Sequence, residues 1–249
     1  MAENTIKVRI KFAKYGAVKF IGHLDVMRYF QKAIRRAGID IAYSGGFSPH
    51  QIMSFASPLS VGHTSEGEYF DIEMNSFPSE EEIKNRLQTA MVEGIDILAV
   101  RKLPDKEGNA MASVAAASYL VGFREGCLLP EDWEERLKDF YAQNIIPVVK
   151  KTKKGEKELN LKESIYELAI REIPDNSLMD GMGRRRNGVY MLLNASSGGN
   201  IKPSFVLDTF FDSLGVTLPE FGLLVHRIDT YKNIGSEQER KLVPLIWEK

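Results

Sequence analysis

Hydrophobic and polar positions in the first hundred residues alternate between strand-like and helix-like spacing. Residues 6–12 alternate apolar and basic side chains, a period of two that is typical of a half-buried strand. From Leu24 to Ala37 apolar side chains recur at helical spacing on one face, and Gly38 marks the end of that helix. The remaining predicted elements are strands at 52–57 and 68–74, a helix opened by the capping box of Ser79 and Glu82, and a strand at 95–100. The predicted order is βαββαβ.

The second half of the chain repeats this pattern without detectable sequence identity. Residues 118–124 alternate as a strand, and Pro130 opens a helix with apolar side chains on one side. A second helix begins at Pro203 and ends at Gly215. The remaining strand candidates are 145–151, 158–162, 165–171, 188–194 and 223–230.

Together the two halves predict an α+β protein of two tandem ferredoxin-like units, residues 1–104 and 117–249. The linker PDKEGNAMAS is polar and contains glycine, as a domain boundary should. In a ferredoxin-like sheet the first and third strands are neighbours. The basic side chains Lys7, Arg9 and Lys11 should therefore lie beside Tyr69, Asp71 and Glu73 and pair with them across the strands.

Composition limits the class of protein. No apolar run approaches the roughly 18–20 residues that span a bilayer, and the first residues, MAENTIKVRIK, lack the apolar core of a signal peptide. We therefore expect a cytoplasmic protein with no membrane association. The single cysteine, Cys127, excludes an intramolecular disulfide and is expected to be a buried structural thiol.

Charge is distributed unevenly although the net formal charge is only −1. Residues 1–36 carry nine Lys or Arg side chains against Glu3 and Asp25, whereas residues 37–100 are mainly acidic. A basic block followed by an acidic one indicates either an anion-binding surface or two elements that pair with each other.

Most of the candidate chemistry falls within residues 20–71. This segment holds three of the four histidines and the glycine-rich turn YSGGFSPH at 43–50. Gly45 and Gly46 allow positive φ, and Pro49 biases Ser48 towards extended geometry, so the turn should be ordered. We expect it to bring His50 near the start of the first helix, into one pocket with His23 and Asp25.

Three uses of these residues stay open. His23 and Asp25 could simply cap the first helix. A catalytic site for acid–base or metal-assisted chemistry would consist of His23, Asp25, His50 and Glu66. A weak metal site would use His23, His50 and His63 with Glu66 or Glu68, although their spacing follows no recognised ligand pattern. We therefore predict no cofactor.

Basic and aromatic residues of the same segment fit RNA. Cations on the first helix could contact phosphates, while aromatic rings of the turn could stack on unpaired bases, with Gly45 and Gly46 offering backbone N–H groups. The candidate side chains are Arg28, Lys32, Arg35, Arg36, Tyr43, Phe47 and His50, joined by Lys14, Lys19 and the loop residues Arg184, Arg185 and Arg186. A solvated helix face or cross-strand pairing would explain many of the cations without a ligand.

These motifs resemble a bacterial family, the radical SAM-linked domain of unknown function. The likeness rests on FIGHLD, with Phe20, His23, Leu24 and Asp25, on the paired Arg35 and Arg36, on Tyr43 to His50, and on Ser65, Glu66, Glu68 and Tyr69. It is specific over about 75 residues, and NIKPSFVLDTF and VHRIDTY resemble the family's closing helix and strand. Gln51 departs from the family pattern, in which proline is common at this position.

The resemblance implies an accessory or substrate-recognition role beside a radical S-adenosylmethionine protein, in RNA modification or maturation. The chain lacks the Cys-x-x-x-Cys-x-x-Cys ligands, so the resemblance implies no iron–sulfur cluster here. The leading hypothesis is therefore a non-catalytic RNA-binding or substrate-presenting module that works with a radical SAM partner. The alternatives are an enzyme acting on RNA or a nucleotide, and a protein–protein adaptor.

Overall fold

The structure is a computed structural model that describes residues 5–152, 155–174, 178–179, 187–236 and 239–247. It is an α+β protein in which the strand pairs with a defined register are antiparallel. The chain divides into two compact units, residues 1–115 with 227–249 and residues 116–226. The sequence predicted residues 1–104 and 117–249 for the two units, and those boundaries stay a prediction. No described helix is long and apolar enough to cross a membrane.

The first unit is built on a sheet with the order β4-β1-β3-β10. Its elements are β1 (Ile6–Lys14), a 3-10 turn (Gly16–Phe20), α1 (His23–Arg36), β2 (Met53–Phe55), β3 (Thr64–Met74), α2 (Glu80–Thr89), β4 (Ile95–Lys102), α3 (Ala110–Ser113), the end of β10 (Leu223–Asn233) and β11 (Leu242–Pro244). The short strand β2 pairs with β3, and β11 pairs with β10. The strand predicted at 52–57 is shorter in the structure, where β2 has only three residues.

Aromatic packing holds α1 on this sheet. Phe30 of α1 lies 4.6 Å from Phe70 and 4.8 Å from Phe12, measured between ring centroids. Pairs of this kind contribute about 0.5–1.5 kcal/mol beyond their buried area. Leu24, predicted on the same apolar face, is instead 66% exposed, because the buried stripe of the helix consists of Val26, Phe30, Ala33 and Ile34.

The predicted pairing of β1 with β3 is confirmed. Lys7 lies opposite Glu73, Arg9 opposite Asp71 and Lys11 opposite Tyr69. Arg9 is completely buried and binds Asp71 through two parallel hydrogen bonds of 2.8 and 3.0 Å. Lys11 binds Asp229 at 2.8 Å, and the Tyr69 hydroxyl donates to the same carboxylate at 2.6 Å. Burial, followed by the charge of Asp229, raises the pKa of Tyr69.

The second unit packs two helices against a sheet with the order β5-β9-β8. Its elements are β5 (Ala116–Phe123), α4 (Trp133–Ala142), β6 (Pro147–Thr152), β7 (Gly155–Asn160), a 3-10 turn (Leu161–Ser164), β8 (Ile165–Glu172), β9 (Asn187–Asn194) and α5 (Pro203–Ser213). The strands β6 and β7 pair only with each other as a separate hairpin. Cys127 is buried and forms no disulfide, as predicted.

Candidate functional site

The turn between α1 and β2 is a closed loop that displays aromatic rings. Tyr43 pairs with Gln51 in an isolated bridge, and the Ser44 N–H donates to the His50 carbonyl at 2.8 Å. The Ser44 hydroxyl is also 2.8 Å from Nδ1 of His50 and accepts from its backbone N–H at 3.1 Å. Phe47 at the tip is fully exposed, and Tyr43 is 51% exposed. Such bonds hold the ends of the loop together while its rings face solvent.

Positive φ is needed at one of the two glycines in this loop. Gly46 has φ +99°, a conformation that side chains rarely adopt, whereas Gly45 has no such requirement. Neither glycine would bring a Cβ within 4 Å of another heavy atom, so both face open space. The backbone near the loop tip is therefore accessible to a ligand.

Gln51 links this loop to the basic face of α1. Its buried side chain donates to the carbonyl of Gln31 at 3.2 Å. Arg28 and Arg35 lie three residues before and four residues after Gln31, so they share its side of the helix. Both are exposed. Arg28 and Arg35 therefore lie on the side of α1 that the loop contacts through Gln51.

The four candidate cations of α1 differ in their contacts. Arg28 forms an exposed ion pair with Asp25 at 3.4 Å. Arg36 donates to the carbonyl of Ala90 at 3.0 Å and lies over the Tyr29 ring. Lys32 and Arg35 are exposed and have no ion pair with any residue in the described part of the chain. These last two are the cations of α1 best placed to meet phosphates.

His23 lies in a second, half-buried group of charged side chains. Its ring meets Phe55 edge-on at 5.4 Å, and its charge interacts with Glu68 and Lys14. Burial lowers the pKa of His23, with Glu68 opposing and Lys14 reinforcing that shift. Glu68 is itself buried and accepts a hydrogen bond of 2.9 Å from Arg227. The group thus joins the ends of β1 and β3 to α1 and β10.

Lys14 is the most deeply buried member of this group. It is only 2% exposed, and its ammonium donates to the carbonyls of Ile21 at 2.8 Å and Lys19 at 3.3 Å. Burial lowers the pKa of Lys14, and the negative charge of Glu68 partly offsets that shift. A buried ammonium held mainly by neutral carbonyls is an uncommon arrangement, because the desolvation of its charge is not repaid by a close ion pair.

The predicted catalytic set is not brought together as a buried group. His23 is half-buried, whereas Asp25, His50 and Glu66 are exposed. The nearest polar partner of His50 is Ser44, and that of Asp25 is Arg28. The pocket expected for His23, Asp25 and His50 stays a prediction.

The candidate metal ligands do not converge either. Among the residues that the structure describes, no three His, Cys, Asp or Glu side chains are placed to hold a metal ion, so His23, His50 and His63 form no such group. The predicted phosphate contacts Arg184, Arg185 and Arg186 lie outside the described residues.

Sequence inspection missed the association of Lys14, Glu68 and Arg227 with His23. Two of the three carry a signal in their spacing. Lys14 continues the buried face of β1 after Phe12, and Glu68 precedes Phe70 on the buried face of β3, so each is a charge at a core-facing position. Arg227 could not be placed, because it lies 159 residues from Glu68 in the chain.

Comparison with known proteins is informative at the level of the family. No curated protein matches the chain. One matching solved structure is described as the crystal structure of an unknown protein from Galdieria sulphuraria, with 12% sequence identity and a TM-score of 0.26. The match covers 90% of this chain and 99% of the other. The sequence profile of a family described as "Uncharacterized protein conserved in bacteria (DUF2344)" matches residues 7–203, and the chain therefore belongs to that family.

Proposed function

We propose that the protein is a non-catalytic module that binds unpaired RNA and presents it to a radical SAM protein. The observation that carries this proposal is the fully exposed Phe47 on a hydrogen-bonded loop beside an exposed basic helix face. A ring held in solvent by an ordered loop loses little conformational entropy when a base stacks on it. Stacking contributes about 1–3 kcal/mol per base and tolerates different sequences.

Charge supports modest rather than tight binding. The exposed side chains of Lys32 and Arg35 can each contact a phosphate, whereas the net charge of −1 gives no general attraction to a polyanion. RNA bound here would use a few local contacts and would be released easily. This is suited to a module that passes its ligand to another protein.

Fluorescence anisotropy with a labelled single-stranded RNA at low and moderate salt tests the proposal. We expect binding that weakens with salt, and a loss of about tenfold or more for Phe47→Ala. The matched control is Phe221→Ala in the second unit, because Phe221 is also an exposed ring, 77% accessible. A dissociation constant above about 10⁻⁴ M at low salt, or equal losses for both variants, would refute RNA binding by this loop.

The radical SAM partner rests on the sequence resemblance described above. Co-purification of the tagged full chain from its native host, followed by mass spectrometry, tests it directly. Recovery of a protein with the Cys-x-x-x-Cys-x-x-Cys motif at near-stoichiometric yield would support the partnership. Repeated recovery of other proteins without such an enzyme would contradict it.

We propose further that each unit is ferredoxin-like. In the first unit β1 pairs with β3 and β4, and β2 pairs with β3, all antiparallel. In the second unit β9 pairs with β5 and β8, again antiparallel. The hairpin of β6 and β7 would then be an insertion between α4 and β8. An experimental structure with a different strand order in either unit would refute the assignment.

A cytoplasmic location follows from this function, since radical SAM partners and their RNA substrates would be found there. The single unpaired cysteine, Cys127, agrees with a reducing compartment. Fractionation of native cells with antibody detection tests the location, and recovery in the periplasmic or secreted fraction would contradict it.

A further inference from the structure

A cleft of about 230 Å³ lies in the first unit, where β1, β2 and β3 meet the segment that precedes α3. A water molecule occupies about 30 Å³ in the liquid, so the cleft has room for about eight. Pockets that take drug-sized ligands are larger, at about 300–1,000 Å³. The cleft therefore suits a molecule of about the size of one amino acid.

Two opposite charges line this cleft without pairing. Lys7 of β1 lies opposite Glu73 of β3, and both side chains are half-buried. Their charged atoms nevertheless do not approach within 4.0 Å, and Lys7 forms no hydrogen bond or ion pair with any residue that the structure describes. The next pair along the same strands, Arg9 and Asp71, is joined by two hydrogen bonds. The ammonium of Lys7 is therefore open to a ligand, unlike the guanidinium of Arg9.

Other polar groups of the cleft also keep free positions. Oε2 of Glu73 accepts from the Thr5 hydroxyl at 2.7 Å, whereas Oε1 has no donor among the described residues. Asn109 uses Oδ1 to accept from the Ala112 N–H at 2.8 Å, and its Nδ2 has no acceptor in the described part of the chain. The Ser54 hydroxyl is likewise without a described partner. The cleft thus offers both donors and a carboxylate oxygen.

The rest of the lining is apolar, and the charges of the cleft cancel. Ile52 and Met53 are half-buried and line it beside the polar groups. A methionine side chain adapts its shape readily to an apolar ligand group. Lys7 contributes one positive charge and Glu73 one negative charge, while Asp71 is neutralised by its bonds to Arg9. A neutral cleft with separated charges favours a ligand that carries both signs over a polyanion.

We propose that this cleft binds a small zwitterion, an α-amino acid with an apolar side chain. The carboxylate of the ligand binds the Lys7 ammonium and the Asn109 amide, and its ammonium binds Glu73. Its side chain lies against Ile52 and Met53. A ligand with a carboxylate alone would leave Glu73 unpaired, and one with an ammonium alone would leave Lys7 unpaired. The site goes beyond the proposed binding of RNA and does not require it.

NMR titration of the full chain with L-leucine, L-methionine and L-valine tests the site. We expect at least one of them to give saturable shifts of the Met53 methyl group and of the Ser54 and Glu73 amides, with a dissociation constant of about 1 mM or lower. The methyl group of Met191, which is completely buried in the second unit, should not shift. Absence of saturable shifts for all three amino acids up to about 20 mM would overturn the proposal.

Two analogues of the amino acid that binds test the need for both charges. Its N-acetyl derivative lacks the ammonium that binds Glu73, and its amide lacks the carboxylate that binds Lys7. We expect each analogue to bind at least about tenfold more weakly than the free amino acid, because each leaves one charge of the cleft unpaired. Binding of either analogue as tightly as the amino acid would overturn the zwitterion as the ligand.

Variants of the two charged residues place the ligand in this cleft. Lys7→Met removes the ammonium and should fold normally, since Lys7 makes no bond to a described residue. We expect Lys7→Met and Glu73→Gln each to weaken amino-acid binding at least about tenfold. The matched control is Lys84→Met on α2, because Lys84 is another half-buried lysine of the first unit outside the cleft. Wild-type affinity in Lys7→Met, or an equal loss in Lys84→Met, would overturn the proposal.

Discussion

The two units of the protein differ in whether they bury charged side chains. The first unit buries seven charged side chains among its described residues: Arg9, Lys14, Lys19, Glu68, Asp71, Arg227 and Asp229. The described part of the second unit buries no Lys, Arg, Asp or Glu, and its core is formed by residues such as Trp133, Phe210 and Phe211. Apolar packing is sufficient to hold an α+β unit of this size together. A core of this size therefore does not need the buried charges of the first unit in order to form.

The buried charges around Arg9 and around Lys14 form two groups. They differ in whether the buried cation has a carboxylate partner. Around Arg9, the carboxylate of Asp71 also accepts from the Ala110 N–H at 2.7 Å, while the guanidinium binds the carbonyls of Gly108 and Leu245. Lys14 has no comparable carboxylate partner. Satisfied networks of the first kind specify structure, whereas the burial of the Lys14 charge is not offset by a close ion pair.

Breaking the complete network should have the largest effect. Arg9→Met leaves the Asp71 carboxylate buried without its partner, and we expect the free energy of unfolding to fall by about 3–5 kcal/mol in urea titrations. The control is Arg136→Met in the second unit, which breaks an exposed pair with Asp132 and should cost less than about 1 kcal/mol. The double variant Arg9→Met with Asp71→Leu should recover much of the loss. Similar small losses for both single variants would show that the buried network does not stabilise the first unit.

A single glycine tests how closely β3 and β10 approach each other. A Cβ on Gly67 would lie 2.3 Å from the Asp229 Cα and 2.8 Å from its backbone nitrogen, so backbone would have to move. We expect Gly67→Ala to lower the free energy of unfolding by about 1–3 kcal/mol or more. Gly198→Ala, which meets no heavy atom within 4 Å, should change it by less than about 0.5 kcal/mol. Thermal unfolding of the two variants side by side gives the comparison, and equal stability would contradict this close approach.

The sequence could predict much of the first sheet because its pattern is local and strong. Alternation in residues 6–12 and 68–74, with the expectation that the first and third strands are neighbours, was enough to predict which side chains of the two strands lie beside each other. The same local reasoning failed for Leu24, since apolar spacing shows which positions share a helix face but not how far along the helix the core extends. It did identify β6 and β7 as strands, but the pattern gave no indication that they pair only with each other.

The candidate site was less predictable than the fold. Its loop could be recognised from glycine, proline and aromatic residues that are adjacent in the chain. The group around His23 depends on Lys14, Glu68 and Arg227, which come from three strands, and its contacts arise only on folding. Charged residues at core-facing positions of predicted strands were the available signal, and they indicated burial without indicating partners.

The exposed side chains of Lys32 and Arg35 provide a test of RNA binding that does not depend on stability. For single-stranded nucleic acid, each phosphate contact contributes about 0.7 to the slope of log affinity against log salt. We expect Lys32→Ala and Arg35→Ala each to reduce the slope for RNA by about that amount while leaving the unfolding midpoint unchanged. The control is Lys138→Ala, an exposed lysine on α4. An unchanged slope in both α1 variants would remove the helix from the RNA interface.

The smallest expected effect concerns His23 and the pH dependence of stability. Burial lowers the pKa of His23 below its ordinary value of 6.5, so below that pH the unfolded chain takes up a proton that the folded chain still resists. The stability that comes from keeping His23 neutral is therefore fully present above pH 6.5. It is lost as the pH falls from 6.5 towards the lowered pKa of His23. His23→Gln should lose less stability than the wild type between pH 7 and pH 5, in urea titrations with phosphate-free buffers.

His50→Gln is the matched control, because His50 is exposed and bonds to Ser44 rather than to the charged group. Its stability is measured beside that of the wild type and His23→Gln over the same range. Parallel curves for the wild type and His23→Gln would show that burial does not lower the pKa of His23.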